Sequence, residues 1–319
     1  MPGATVAELI ASVRAAHGRS DAEVAALVRQ TALTERLDDA VIEQLQSDGA
    51  RTRTVAELEW LREGSAALPA PTGLLLFDAP APLSAEDQTR LIERARVIAL
   101  DYTESLPNFV CTESVQRHVR EKGKEWTSSR PYTMEVSYSP KGETYKLLTF
   151  DGKPTRKSLK DVGGFRSDGE FGSTLRDIFR PEAAAKFQWA RWANLRGRRV
   201  AVLAYHIDRA NSHFTVSAAT NPFRTHRIQT GMRGEVYLDP ESGRSLRIGD
   251  GDDGLPSTFP IRSVYAVMDY EFTDIGGREF LLPRRVDMRV TLREHRARNL
   301  MEFSAYRKFD ADTNVTFEK

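Results

Sequence analysis

Three histidines, His206, His213 and His226, lie near one another in the chain and are the first residues to consider for proton transfer or metal ligation. Zinc sites draw on cysteines or carboxylates at fixed spacing from such histidines, and none accompanies these, so packing in the core or at the surface is the stronger expectation. The run Asp250-Gly251-Asp252-Asp253-Gly254 gathers oxygen ligands as a calcium loop does. The EF-hand template fails at its twelfth position, where Ile261 stands in place of a bidentate glutamate, and a solvated turn is expected instead. Cys111 follows Val110 in an apparent strand with nothing beside it to lower its pKa, which predicts a buried, inert thiol. No Gly-x-Ser-x-Gly elbow, phosphate-binding glycine loop or His-Glu-x-x-His helix occurs. The residues therefore predict no catalytic centre, metal or cofactor. A hydrolase using His206 or His226 with a neighbouring carboxylate ranks last among the readings.

Arginines gather at Arg196, Arg198 and Arg199 and again at Arg284, Arg285, Arg289 and Arg293. Solvated strand edges and turns account for them, because edge charges oppose sheet-to-sheet association. Lysine and arginine (46) nearly balance aspartate and glutamate (45), which gives no general attraction to a polyanion. The first 67 residues carry more acidic than basic side chains and no lysine, which argues against a nucleic-acid module.

The elements that position these residues change character along the chain. Capping boxes at Thr5/Glu8, Ser20/Glu23 and Thr54/Glu57 each open a helix. Leu33, Leu37, Val41 and Leu45 at helical spacing suggest another, ending at Gly49. Residues 1–68 read as a small helical bundle. Prolines 69, 71, 80 and 82 then break the pattern and mark residues 69–83 as a linker. Ser84 and Asp87 open a longer helix that carries Leu91, Ile92, Ala95, Ile98, Ala99 and Tyr102 on one face and ends near Leu106-Pro107.

From Asn108 the period becomes two. Tyr132, Met134, Val136 and Tyr138 alternate with polar residues, and Val286, Met288, Val290 and Leu292 alternate with Asp287, Arg289, Thr291 and Arg293. Turns are signalled at Asp151-Gly152, Arg196-Gly197, Pro240 to Gly243 and Ile275-Gly276-Gly277, and one short helix at Phe171 to Phe179. Short connections force antiparallel pairing. The expected class is α+β: an antiparallel curved sheet or half-open β-barrel over residues 84–319, apolar on one face, solvated on the other and covered by the helix that leads into it.

Two segments resemble bacterial lipoprotein carriers, the lipoprotein localisation factors and their outer-membrane lipoprotein-sorting relatives. One is the helix from Ala95 that runs into Leu106-Pro107-Asn108-Phe109-Val110-Cys111-Thr112-Glu113 and on to Val119. The other is the hairpin Gly234-Glu235-Val236-Tyr237-Leu238-Asp239-Pro240-Glu241-Ser242-Gly243-Arg244-Ser245-Leu246-Arg247-Ile248. The resemblance implies a half-open barrel that holds acyl chains on its concave face under a helical lid, without covalent chemistry and without catalytic residues. The N-terminal helices depart from that pattern.

The expected function is therefore non-enzymatic binding or carriage of an apolar small molecule or lipid. Tyr132, Met134, Leu203, Tyr205, Val264, Met268, Tyr270, Met301 and Phe303 are the residues predicted to line the site, which is expected to be bordered mainly by aliphatic and aromatic side chains. The alternative is an interaction module in which residues 4–67 dock a protein partner through an exposed apolar patch. No stretch approaches the roughly 20 apolar residues of a membrane-spanning helix, the longest apolar patch being Gly73 to Phe77. Met1 to Ala16 read as an amphipathic helix rather than an export signal, so the protein is periplasmic or secreted if a signal has been removed and cytoplasmic otherwise.

Overall fold

The computed structural model describes residues 3–71, 81–121, 124, 126–139, 142–166, 169–221 and 224–309. The apolar patch from Gly73 to Phe77 lies outside the described residues. The chain divides into two compact units, Met1–Ser84 with Ala190–Val202 and Ala85–Trp189 with Leu203–Lys319.

The first unit holds α1 (Val6–Ala15), α2 (Asp21–Gln30), α3 (Asp39–Ser47) and α4 (Thr52–Ser65). Thr5 with Glu8 and Ser20 with Glu23 form complete capping boxes, so the first two helix starts satisfy their own amides. The third expected box does not form. Helix α4 begins two residues earlier, and Thr54 lies inside it, because Asp21 reaches across to accept the amides of Arg53 and Thr54 and the Thr54 hydroxyl. A carboxylate from a neighbouring helix thus replaces the local cap, as a negative charge at a helix N-terminus should. Leu9, Val28, Leu37, Leu45 and Leu58 close a separate core between these helices.

The second unit opens with α5 (Ala85–Ser105) and continues through β1 (Phe109–Glu121), β2 (Thr127–Ser128), β3 (Tyr132–Ser139), β4 (Gly142–Phe150) and β5 (Lys153–Pro154). Two short helices, α6 (Leu159–Val162) and α7 (Ser173–Phe179), precede β6 (Lys186–Leu195) and β7 (Arg198–Ile207), of which the stretch Ala190–Val202 is counted with the first unit. Then come β8 (Thr215–Asn221), β9 (Arg224–Gln229), β10 (Gly231–Leu238), β11 (Ser245–Asp253), β12 (Ile261–Asp274), β13 (Glu279–Leu292) and β14 (His295–Lys308). Twelve strands form one sheet in the order β5-β4-β3-β1-β14-β13-β12-β11-β10-β7-β6, with β2 beside β1. β8 and β9 form a separate two-stranded sheet. The path ends at β5 and β6 without joining them, so the curved antiparallel sheet is open rather than a closed barrel. The predicted turns fall where expected: Asp151-Gly152, Arg196-Gly197 and Gly276-Gly277 each take positive φ at two successive residues, the geometry that matches strand twist in tight hairpins.

Register aligns the inward residues into rows. Tyr132, Val115, Met301, Val286, Met268, Ile248 and Val236 stand opposite one another across seven strands, giving one apolar row. The next row reads Arg117, Asn299, Met288, Ala266, Asp250 and Gly234. Helix α5 buries Leu91, Ala95, Ala99 and Tyr102, as its spacing predicts, and the Tyr102 hydroxyl donates to the Leu281 carbonyl of β13. Arg96 donates to the Phe179 carbonyl at 3.2 Å and so ties α5 to α7. Phe171 meets Phe109 and Phe303 edge-on at ring separations of 5.2 and 5.5 Å, closing this end of the face with aromatic rings.

The fold corrects three expectations. The polar side of β13 is not solvated at its middle: Asp287 is 3% exposed and Arg298, diagonal to it on β14, is fully buried. Two parallel Arg298 donors, Nε at 2.8 Å and Nη2 at 2.7 Å, grip the Asp287 carboxylate, and Arg289 adds a third at 2.5 Å. Arg289 is therefore half of a buried ion pair rather than a solvated edge charge. The acidic run at 250–253 is not a turn either, since Asp250, Asp252 and Asp253 belong to β11 and the first two are buried. Alternation places Asp250 and Asp252 at the same parity as Leu246 and Ile248, which puts them on the inward side.

Candidate functional site

A cavity of about 1370 Å³ lies within the second unit, between the inner face of the sheet and a roof. The segment 159–166, the start of α7 and the β8/β9 hairpin provide the roof. At one end the floor is apolar: Val119 of β1 stands opposite Ala297 of β14, which stands opposite Val290 of β13, with Ile261 and Leu292 beside them. At the other end Tyr132, Met134 and Met301 line it. Between these patches the floor is polar, and its polar residues divide into two kinds.

Arg117 and Asn299 fasten the roof. Arg117 donates to the Val162 carbonyl and to the Tyr132 hydroxyl, each at 3.2 Å, and its guanidinium stacks over the Tyr132 ring at 4.7 Å. Asn299 donates to the Phe165 carbonyl at 2.9 Å. Gly164 lets the strap pass closely, because a Cβ there would meet the Arg117 guanidinium at 2.8 Å.

Glu113, Glu170 and Asp250 are the acidic residues of the floor. Each lines the cavity, and none is more than 7% exposed. Burial pushes the Glu113 carboxyl up to about 8, and the neighbouring charge of Glu170 adds to the rise. Burial, again with Glu170, lifts Asp250 to about 7. Burial also raises the Tyr132 hydroxyl, which remains a neutral donor at ordinary pH. At the roof, His213 Nδ1 lies 2.9 Å from Asp177 Oδ1, and both residues are cavity-lining.

Of the residues expected to line a site, the structure brings Tyr132, Met134 and Met301 to the cavity. Leu203, Tyr205, Val264, Met268, Tyr270 and Phe303 are buried in the same unit but do not border it. Tyr205 donates to the Gly249 carbonyl and Tyr270 to the Glu170 carbonyl, each at 3.2 Å, so both hydroxyls help build the wall behind the acidic floor. The border itself is not mainly aliphatic and aromatic, as expected, but shares its surface with the charged residues named above. His206 is hydrogen-bonded to Asp253 at 2.8 Å away from the cavity lining, and His226 is likewise not among the lining residues. Cys111 is buried, and its surroundings raise the thiol far from the reactive range. No three His, Cys, Asp or Glu side chains among the described residues are placed to hold a metal ion.

Sequence reasoning missed the acidic trio. Glu113 carried a signal, since it shares parity with the buried apolar residues Phe109, Cys111 and Val115. Glu170 carried none, because it comes from an irregular segment with no period.

In the helical unit, the expected apolar docking patch on residues 4–67 is not seen. Among the described residues the large exposed apolar side chains are Val97 and Tyr145, both in the second unit. No described helix is long and apolar enough to cross a membrane.

No protein-family model matches the chain, and no curated protein does. Solved structures to which it is similar include a LolA superfamily protein from Nitrosomonas europaea, at 13% identity over 72% of this chain and 97% of that one, with a TM-score of 0.31. A putative outer membrane lipoprotein-sorting protein domain from Vibrio parahaemolyticus matches at 11% identity over 72% and 95%, with a TM-score of 0.32. The MucA/MucB complex of Pseudomonas aeruginosa matches at 10% identity over 69% and 100%, with a TM-score of 0.20. The names of the first two, a LolA superfamily protein and a putative outer membrane lipoprotein-sorting domain, fit the family that the two sequence segments resemble. At such TM-scores none of these likenesses carries an argument about function.

Proposed function

We propose that the second unit is a non-enzymatic binding or carrier module whose cavity takes up the apolar chain of a lipid-like ligand. The observation that carries this reading is the cavity itself: about 1370 Å³ between an open sheet, whose inner face is apolar at both ends of the floor, and a roof. Packed interiors rarely tolerate such space, and pockets for small molecules typically span about 300–1,000 Å³. The patch formed by Val119, Ala297, Val290, Ile261 and Leu292 suits an alkyl chain, with burial contributing about 0.8 kcal/mol per methylene.

Titration with the uncharged fluorophore N-phenyl-1-naphthylamine tests the reading. Saturable binding is expected, and Ala297→Phe, which fills the apolar end, should weaken it by about tenfold, a loss of roughly 1.4 kcal/mol. A chain that binds no apolar probe, or whose binding ignores Ala297→Phe, would refute the reading. An exported location belongs to the same proposal, and fractionation of the host separates it from a cytoplasmic one.

A further inference from the structure

The inner face of the sheet changes character where β5 meets β4. Lys153 of β5 stands opposite Phe150 of β4, which stands opposite Tyr132, so the apolar row that runs through Tyr132 ends at a cation. Two more cations turn onto the same half-buried ring: the Arg130 guanidinium lies 5.7 Å and the Lys157 ammonium 4.9 Å from the Phe150 centroid. Arg156 adjoins Lys157 in the chain, and all four cations are exposed. Among the described residues, none of the four is bound in an ion pair. Of the two carboxylates in this stretch, Asp161 accepts the Ser158 amide and hydroxyl at 2.8 and 2.9 Å, and Asp151 sits in the turn after Phe150. A chain with a net charge of only +1 thus gathers four exposed cations at one edge. Protection of a sheet edge accounts for Lys153 on the terminal strand. It does not account for Arg130 and Lys157, which belong to no strand and reach back over the inner face.

The cluster borders the cavity. Ser129, next to Arg130, and Leu159, two residues past Lys157, are lining residues. The lining is exposed here at Ser129, Gly163 and Gly164, and a Cβ added to Gly163 would meet nothing within 4 Å, so the cavity reaches solvent beside the cations.

We propose that this edge is a docking surface for an anionic lipid bilayer, with Arg130, Lys153, Arg156 and Lys157 on the headgroups and the cavity mouth at Ser129 and Gly163 turned toward the membrane. The inference rests on the binding reading above, which favours a lipid surface over any other polyanion: a mouth held against a bilayer lets an alkyl chain enter the cavity without crossing water. Charge complementarity supplies the attraction. Each cation held near such a surface strengthens association about fivefold, the equivalent of about 1 kcal/mol.

Co-sedimentation of the full chain with vesicles tests the docking surface. Vesicles of phosphatidylglycerol mixed with phosphatidylcholine should carry the protein down, and vesicles of phosphatidylcholine alone should not. Salt at about 1 M, which shortens the screening length to about 3 Å, should release it, a readout that needs no variant to fold. Arg130→Gln/Lys153→Gln/Lys157→Gln should weaken association about a hundredfold, three successive fivefold losses. Removing as many exposed cations from the helical unit, in Arg19→Gln/Arg51→Gln/Arg53→Gln, should leave it unchanged. Equal sedimentation with both kinds of vesicle, or equal weakening by the two triple variants, overturns the proposal, as does tighter binding to a labelled duplex oligonucleotide than to the anionic vesicles. The fluorophore titration above needs no vesicle, so the two ideas fail separately. Probe uptake without sedimentation removes the docking surface alone, and sedimentation without probe uptake removes the apolar-chain reading while keeping the charged surface.

Discussion

Two sets of buried acids in one sheet have opposite fates. Asp287 is gripped by Arg298 and Arg289, and these cations hold its carboxyl well below the usual range despite complete burial. Asp250 and Glu113, on the inward face, are lifted to about 7 and about 8. The desolvation is similar, so the difference lies in the surroundings: two arginines act on Asp287, whereas the described charge that acts on Asp250 is another carboxylate, Glu170. Burial of a carboxylate alone therefore does not fix its protonation, since the charges around it decide the direction of the shift.

The comparison breaks most violently at Asp287. Asp287→Asn keeps the shape and removes the charge, which leaves the fully buried Arg298 guanidinium without its counter-ion. Stability should fall by about 3–5 kcal/mol in urea denaturation. If Asp287→Asn proves as stable as the parent, the closed set is not an ion pair and the contrast collapses.

The open set should respond to pH in the opposite sense. A carboxyl whose folded pKa is raised binds a proton more tightly folded than unfolded, so it favours the fold fully below about pH 4 and loses that contribution as pH climbs toward the folded value. For Asp250 the window runs from the ordinary 3.8 to about 7. Asp250→Asn removes the titration, so its stability relative to the parent should improve by roughly 4 kcal/mol between pH 4 and pH 8. Asp287, with its pKa depressed, acts the other way: its contribution is intact above 3.8 and lost as acid drives pH below that value. Denaturation curves of parent and Asp250→Asn that stay parallel across pH would show that Asp250 titrates normally.

Gly234→Ala tests the close approach of β10 to β11 opposite Asp250. Its Cβ would collide with the Gly249 carbonyl, and backbone cannot step aside as a flexible side chain does. A cost of about 2 kcal/mol is expected. A neutral substitution would mean that β10 and β11 can separate there.

Much of the architecture was legible in the residues, because periodicity reports which face a side chain takes. The capping boxes at Thr5 and Ser20, the apolar stripe of α5, the alternation of β3 and the paired positive-φ turns all appear where local pattern put them. The Thr54 box failed because Asp21, distant in sequence, supplied a better acceptor. Asp250 and Asp287 were misread as solvated for one shared reason: residue type suggested water, whereas parity and the neighbouring strands decided burial. Parity alone could not separate them, since the Arg298 guanidinium that grips Asp287 comes from a pairing of β13 with β14 that only the folded sheet reveals.

The roof depends on contacts weaker than either acid set. Asn299 is 1% exposed, stands in the same inward row as Asp250 and donates to the Phe165 carbonyl. Asn299→Leu has nearly the same volume, so the floor stays filled and what is lost is one donor. The Phe165 carbonyl can turn to water entering the cavity, which limits the cost to about 1 kcal/mol. Arg117 still holds Val162, so the strap should loosen at its far end rather than detach. Hydrogen exchange should quicken in residues 162–166 and stay unchanged in β13 around Asp287. Equal protection of the strap in both proteins would mean that Asn299 merely fills space and that Arg117 alone fastens the roof.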